Sequence, residues 1–181
     1  MPELEKIIVA TNCQKILSFL VENPGQEYFD RQISQLTGVS RAGTNFALRD
    51  LAGVGLVHQE KRGRMNFYRV SADNVLIKYI KITQILVRLA QLVEKTKDIS
   101  LKIILFGSAA RGENTSDSDL DLFFLTRNPR EVGKLLGKHP SAEKIQGVIK
   151  TPLEIVRLKK NNPTFLREVE SGIVLWEARP A

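Results

Sequence analysis

Residues 105–123, with the sequence LFGSAARGENTSDSDLDLF, constrain the fold of this chain more than any other segment. Apolar residues at both ends of the segment predict two buried strands with a turn between them. The carboxylates of Asp119 and Asp121 are two positions apart, so on a strand they point to the same face. Like charges held so close repel unless a cation neutralises them, and hard oxygen ligands favour Mg²⁺. The segment therefore predicts a magnesium site.

Gly107 and Ser108 follow the first of these strands, at a turn into a predicted helix. Free backbone N–H groups at such a turn can bind a phosphate group. A phosphate site beside a metal-binding pair of carboxylates indicates chemistry on a nucleoside triphosphate.

This segment resembles the signature of the DNA polymerase beta nucleotidyltransferase superfamily, which is Gly-Ser, a ten-residue spacer and Asp-x-Asp. The Ala-Arg-Gly at residues 110–112 and the serine before the first aspartate resemble its minimal branch, and the resemblance covers residues 99–176. It implies that Asp119 and Asp121 are catalytic and bind Mg²⁺. It also implies that the triphosphate is bound by Gly107, Ser108 and Arg111.

One position departs from the superfamily pattern. Active members supply a third carboxylate from a later strand, whereas residues 144–149 of this chain carry Gln146 at the expected position. An amide is uncharged and cannot take a proton from a hydroxyl group at neutral pH. Glu143 and Glu154 are close in sequence, but neither falls at a convincing strand position. This departure bears on turnover more than on binding of nucleotide and metal.

The N-terminal part of the chain shows helical periodicity interrupted by turn residues. Apolar spacing predicts a helix within residues 3–22, which includes Ile7 and Ile8. Asp30 and Ser40 are candidate caps for two further helices, residues 31–37 and 41–52. Residues 56–60 and 66–70 predict two short strands joined by a basic hairpin turn.

This order of elements resembles the winged helix-turn-helix family, with residues 33–40 and 55–57 carrying the match. In that family the helix after the turn enters the DNA major groove, and the hairpin contacts the backbone or minor groove. The resemblance implies DNA contacts by Arg41, Thr44, Asn45, Arg49, Lys61, Arg62 and Arg64. Spacing of four residues places 41, 45 and 49 on one helical face, and leaves Phe46, Leu48 and Leu51 for the core. Two alternatives remain open: winged helices also bind proteins, and a basic hairpin can be a solvated loop.

Residues 74–97 predict one long helix whose apolar stripe, which includes Leu76, could form a homodimer interface or pack between two domains. Further along, residues 122–125 are apolar on both faces and predict a central strand, and residues 172–176 predict an edge strand or an extended tail.

The predicted class is α+β. The predicted domains are a winged helix at residues 1–73, a linker helix at 74–98 and a small mixed-sheet, minimal nucleotidyltransferase-like domain at 99–181.

Composition and charge indicate the cellular location and the class of partner. The formal net charge is +7, and residues 31–69 are especially basic, which favours a polyanion such as double-stranded DNA. Cys13 is the single cysteine, so no intrachain disulfide can form. No apolar run has the length of a membrane span. We therefore expect a cytoplasmic protein with no membrane partner.

The leading functional hypothesis is Mg²⁺-dependent transfer of a nucleotidyl group from an NTP, with ATP favoured, to a hydroxyl acceptor. The resemblance also implies that the acceptor could be a toxin-like partner protein modified by an antitoxin. A second hypothesis is a transcriptional regulator that binds a nucleotide without turning it over, which Gln146 favours. A third is a protein-interaction module in which both domains have lost their ligands.

Overall fold

The computed structural model describes residues 10–115 and 117–179, and the chain divides into two compact units, Met1–Val87 and Arg88–Ala181. The first part of the helix predicted for residues 3–22, with Ile7 and Ile8, lies outside the described residues. The mixed α+β class is confirmed, whereas the boundaries at residues 73 and 98 stay predictions.

The N-terminal unit combines helices with a three-stranded antiparallel sheet of order β1-β3-β2. Its elements up to the hairpin are α1 (Asn12–Glu22), β1 (Tyr28–Phe29), α2 (Asp30–Thr37), α3 (Arg41–Gly53), β2 (His58–Arg62) and β3 (Met65–Arg69). A long helix, α4 (Val75–Thr96), then runs through the boundary between the units, as the apolar stripe predicted.

Local signals explain where these helices begin and end. Gly38 has φ +69° and ends α2 in the left-handed conformation that glycine adopts without steric cost. The Ser40 hydroxyl accepts a hydrogen bond from the Gly43 N–H at 3.2 Å and caps α3, as predicted. The cap predicted at Asp30 is wrong, because α2 already begins there. The Gln32 side chain instead accepts the Phe29 N–H at 3.1 Å.

The core of this unit joins α1, α2 and α3 to the sheet, and Leu48 and Leu51 are buried in it as predicted. Two apolar residues are not where the sequence placed them. Phe46 is 59% exposed, and Leu76 at the start of α4 is 61% exposed. Helical periodicity identifies an apolar residue near a buried face, but only the packing decides whether that residue is covered.

The C-terminal unit is built on a four-stranded mixed sheet of order β6-β5-β4-β7. Its elements are β4 (Ser100–Phe106), α5 (Gly107–Ala110), β5 (Leu120–Thr126), α6 (Pro129–Gly137), β6 (Ile145–Lys150), α7 (Pro152–Asn161), α8 (Pro163–Glu170) and β7 (Ile173–Glu177). The strand predicted to be central, β5, lies inside the sheet, parallel to β6 and antiparallel to β4. The final strand, β7, lies at the edge of the sheet, which is one of the two alternatives that the sequence left open.

The two faces of this sheet are covered by different helices. Phe106 and Phe123 on one face pack with Val169 of α8, and the Phe106 and Phe165 rings meet edge to face at 5.7 Å. On the other face α6 approaches β6, where a Cβ at position 147 would lie 2.7 Å from a Leu136 methyl carbon. Because side chains alternate along a strand, Asp121 shares the face that α8 covers.

No helix among the described residues combines the length and the apolar character that crossing a membrane requires.

Candidate functional site

Gly107 and Asp121 lie against each other where β4 ends and β5 begins. The strand register pairs Phe106 with Asp121, which brings the carboxylate over the residue that follows β4. Gly107 has φ +69°, and a Cβ at this position would collide with the Asp121 carboxylate oxygen. Both the backbone conformation and the close approach therefore require glycine.

The electrostatics of this corner are dominated by carboxylates. Asp121 is half-buried, and burial raises its pKa above the usual range, with smaller contributions in the same direction from Asp119 and Glu168. Asp119 is exposed and immediately precedes β5. The structure therefore brings the two predicted aspartates together, and the ionised pair is unfavourable until a positive charge compensates it.

A neutral side chain occupies the neighbouring strand. The parallel register places Gln146 of β6 directly beside Asp121 on the same face of the sheet. This is the position at which the sequence comparison expected a third carboxylate. The amide offers the site an oxygen and N–H donors, but no negative charge and no base at neutral pH.

Glu168 is the acidic neighbour that sequence reasoning missed. It lies on α8, which packs on the sheet face shared by Asp121, and its charge raises the pKa of that carboxyl. The apolar spacing of Phe165 and Val169 is the signal that could have identified a buried side of α8, and Glu168 is next to Val169 in sequence. Nothing local in the sequence indicated that this helix covers the Asp121 face.

The loop between β4 and β5 carries the other predicted nucleotide contacts. Ser108 lies in the short helical turn directly after Gly107, and its carbonyl accepts the Glu113 N–H at 2.9 Å. Arg111 is exposed, and its Nε donates to Glu113 Oε2 at 2.8 Å. Next to the aspartates, the Ser118 hydroxyl accepts the Thr115 N–H at 2.9 Å and so holds the end of the loop.

The donor set suits a cation that takes few ligands from the protein. Within residues 10–115 and 117–179 no group of three or more His, Cys, Asp or Glu side chains is arranged to hold a metal ion. Mg²⁺ commonly binds through one or two carboxylates and takes its remaining ligands from phosphates and water. The hard oxygens of Asp119 and Asp121 fit that pattern.

The N-terminal unit exposes part of the predicted basic surface on α3. Arg41, Asn45 and Arg49 are all exposed on one side of this helix, as their spacing indicated. The DNA contact predicted for Thr44 is wrong. Its side chain is fully buried, and its hydroxyl oxygen lies 3.4 Å from the Val39 carbonyl oxygen. A buried threonine has no surface with which to contact a partner.

The hairpin places its basic residues in two different environments. Lys61 and Arg64 are exposed, and Lys61 lines an open depression of about 610 Å³ together with Arg49. Arg62 instead donates to Glu27 and Glu60 at 2.7 Å each and lies over the Phe67 ring. The hydrogen bond to Glu60 raises the pKa of Arg62 the most, and the hydrogen bond to Glu27 adds to this effect. The positive charge of Arg62 is therefore already compensated within the protein.

Comparisons with known proteins bear on the C-terminal unit. The family model described as polymerase beta, nucleotidyltransferase, matches residues 88–181. A protein from Sulfolobus solfataricus, provisionally described as a nucleotidyltransferase, is similar in structure, with 17% sequence identity and a TM-score of 0.36. That similarity covers 55% of this chain and 86% of the other, and it is too weak to carry an argument. No curated protein matches the chain.

Proposed function

This chain belongs to the polymerase beta nucleotidyltransferase family, and from that premise we propose that its C-terminal unit transfers a nucleotidyl group from an NTP to a hydroxyl acceptor. The observation that carries the proposal is the pair Asp119 and Asp121 beside Gly107, within the matched region. The turn after β4 therefore lies directly against a carboxylate that favours a cation. ATP is the NTP that we propose.

Mg²⁺ is the proposed cofactor, held by Asp119 and Asp121. When bound, the ion would neutralise the triphosphate and polarise its oxygens toward displacement at the α-phosphorus. The half-buried position of Asp121 supports this assignment, because low local polarity strengthens a charge–charge interaction.

The remaining residues of the site would position the triphosphate. The glycine at 107 lets the Asp121 carboxylate lie against the turn, and Ser108 would donate its hydroxyl to a phosphate oxygen. Arg111 would exchange its partner Glu113 for phosphate. Breaking this exposed ion pair costs little free energy, because solvent screens both charges. The acceptor hydroxyl oxygen forms a bond to the α-phosphorus as the bond from that phosphorus to the bridging oxygen breaks. Pyrophosphate leaves with the bond electrons, and the hydroxyl proton passes to solvent water. Positioning and charge compensation supply most of the rate.

A second function, nucleotide binding without turnover in a transcriptional regulator, is favoured by Gln146. This amide lies beside Asp121 and cannot accept the proton that the acceptor hydroxyl must lose. Gln146→Glu distinguishes the two functions. If a missing base limits transfer, the variant should gain about 10²-fold or more in rate, as a positioned base typically contributes. An unchanged, measurable wild-type rate would show that the chain needs no base from β6.

We also propose that the N-terminal unit is a winged helix that binds double-stranded DNA. Arg41, Asn45 and Arg49 would contact the major groove from α3, and Lys61 and Arg64 would contact phosphates. The shared depression between Arg49 and Lys61 supports one continuous basic surface. The charge compensation of Arg62 favours a role in holding the hairpin, and the burial of Thr44 removes it from the proposal.

We propose that the acceptor is a hydroxyl group on a toxin-like partner protein, and that the chain associates with itself. An acceptor of this kind suits a family member for which a DNA-binding unit is also proposed. Self-association is supported by exposed apolar side chains on α4, including Tyr79, beside an apolar groove of about 320 Å³ that Leu17 and Ile80 also line. Size measurement in solution, as a function of protein concentration, tests this part directly.

The decisive experiment titrates Mg·ATP and the other Mg·NTPs into the full chain and follows thermal unfolding. Ligand that binds only the native state, at about 100 times its Kd, adds about 2.7 kcal/mol to the free energy of unfolding. The midpoint should rise for the wild type, and not for Asp119→Ala combined with Asp121→Ala. The pair Asp98→Ala and Glu131→Ala, which removes two exposed charges from the same unit, should retain the rise. A wild type that responds to no NTP would refute the nucleotide site.

A further inference from the structure

An exposed aromatic ring lies at the edge of the basic face of α3, next to Arg49. Phe46 is 59% exposed, and the guanidinium carbon of Arg49 lies 4.9 Å from the centre of its ring. Arg41 and Asn45 share the exposed side of the same helix. The apolar core beneath α3 uses Ala47, Leu48 and Leu51, so Phe46 is not needed to hold the helix in place.

The stacking fixes the orientation of a long side chain that would otherwise sample many rotamers. A guanidinium group over an aromatic face is held by cation–π attraction. The flat fork of Arg49 is therefore presented to the surroundings alongside the ring. Restricting the arginine before binding reduces the conformational entropy that is lost when the fork engages a partner.

The chemistry of this pair matches two adjacent base edges in a major groove. Thymine presents a methyl group there, which apolar side chains contact, and guanine presents two acceptors, which arginine binds with both arms of its fork. The 4.9 Å separation is of the same order as the spacing of stacked base pairs, about 3.4 Å. One stacked pair of side chains can therefore contact two consecutive base pairs.

Resting on the DNA binding proposed for the N-terminal unit, we propose that Phe46 and Arg49 together recognise a thymine and a guanine in neighbouring base pairs. Phe46 contacts the thymine 5-methyl group, and Arg49 donates to guanine O6 and N7. Lys61 and Arg64 supply affinity through phosphates without choosing a sequence.

The test begins with selection of binding sites by the full chain from a randomised duplex library. In the selected duplex each thymine is replaced in turn by deoxyuridine, and each guanine by 7-deazaguanine. Loss of one methyl contact should weaken wild-type binding about fourfold at a single thymine. Phe46→Ala should bind the thymine and deoxyuridine duplexes equally well. Leu153→Ala, which removes a comparably exposed apolar side chain (66% exposed) from α7, should keep the wild-type discrimination.

Arg49→Lys tests the other half of the pair. It keeps the positive charge and removes the fork, so binding to an unrelated duplex at the same salt concentration should change little. Discrimination between guanine and 7-deazaguanine at the position next to that thymine should fall about tenfold.

The outcomes separate this inference from the function on which it rests. If Phe46→Ala responds to every deoxyuridine replacement as the wild type does, the pairing with thymine is wrong while DNA binding stands. If the sensitive guanine is not adjacent to the sensitive thymine, the stacked-pair model is wrong. If the wild type enriches no duplex, the proposed DNA binding fails, and this inference fails with it.

Discussion

The two units of the chain place their charged groups in contrasting environments. In the C-terminal unit Asp121 is half-buried against Gly107, and burial together with two neighbouring carboxylates raises its pKa. In the N-terminal unit the cationic side chains of α3, Arg41 and Arg49, are exposed and lie two helical turns apart. One site concentrates like charge in a confined corner, whereas the other distributes it over an open surface.

The two environments imply different sensitivities to single substitutions. A confined charge depends on every neighbour, because desolvation makes each interaction strong and leaves no room for rearrangement. Exposed charges are screened by salt and contribute nearly independently when they are well separated. We therefore expect single substitutions to abolish function in the first site and to weaken it by increments in the second.

The largest effect is expected for Gly107→Ala. The left-handed backbone costs a non-glycine residue about 1–3 kcal/mol, and the added methyl group collides with the Asp121 carboxylate. Urea unfolding should show a loss of at least about 1 kcal/mol, and calorimetry should show that Mg·ATP affinity falls more than tenfold.

Gly137→Ala is the matched control for this substitution. Gly137 ends α6, is not in the left-handed region and has open space around its Cα. Its replacement should leave both measurements near the wild-type values. Normal stability and nucleotide affinity in Gly107→Ala would show that the corner between β4 and β5 is less confined than described.

An intermediate effect is expected for Lys61→Ala combined with Arg64→Ala, the two exposed hairpin side chains proposed to contact phosphates. Each lost phosphate contact lowers the slope of log affinity against log salt by about one, so this slope should fall by about two. Gel shifts with one duplex at several salt concentrations measure it. Arg130→Ala with Lys134→Ala, an equal change in net charge on α6, should leave the slope unchanged. A slope that falls equally in both variants would assign the effect to net charge alone.

The smallest effect is expected for Asp121→Asn without metal. Because the native pKa of Asp121 is raised, the native state binds the proton more tightly than the unfolded chain does. The stabilisation from the protonated carboxyl is therefore present at low pH and is lost as pH rises from about 3.9 through the raised native value. In EDTA the variant should unfold at a slightly higher temperature than the wild type at pH 7, and the difference should shrink in acid.

Asp119→Asn provides the comparison for this pH effect. It removes the second cause of the raised pKa of Asp121 and leaves the first, burial, in place. Its gain in unfolding temperature at pH 7 should therefore be the smaller of the two. A variant Asp121→Asn that is less stable than the wild type at pH 7 would show that the carboxylate is held by favourable contacts.

Much of the C-terminal unit could be predicted from local patterns. Turn residues indicate the turn at Gly107, and spacing indicates that Asp119 and Asp121 lie close together. Apolar runs indicate the interior strand β5 and the last strand, β7. The family match at residues 88–181 agrees with this. In the N-terminal unit the helix order and the cap at Ser40 were equally readable from short-range signals, whereas the cap predicted at Asp30 was wrong.

Other features depend on contacts between segments that are distant in the chain. Glu168 acts on Asp121 because α8 packs on the sheet face that the aspartate shares. Thr44 is buried and Phe46 is exposed because the packing of α3 selects its inner side, and helical spacing alone did not separate these neighbours. The charge of Arg62 is compensated by Glu60 and also by Glu27, which lies 35 residues earlier in the chain.

The elements, the turns and the carboxylate pair follow from the amino-acid sequence alone, because they depend on backbone sterics and on side chains a few residues apart. Which charges are confined, compensated or exposed follows only from the folded structure. Those properties depend on the local dielectric and on distances across the fold, and neither is a function of position along the chain.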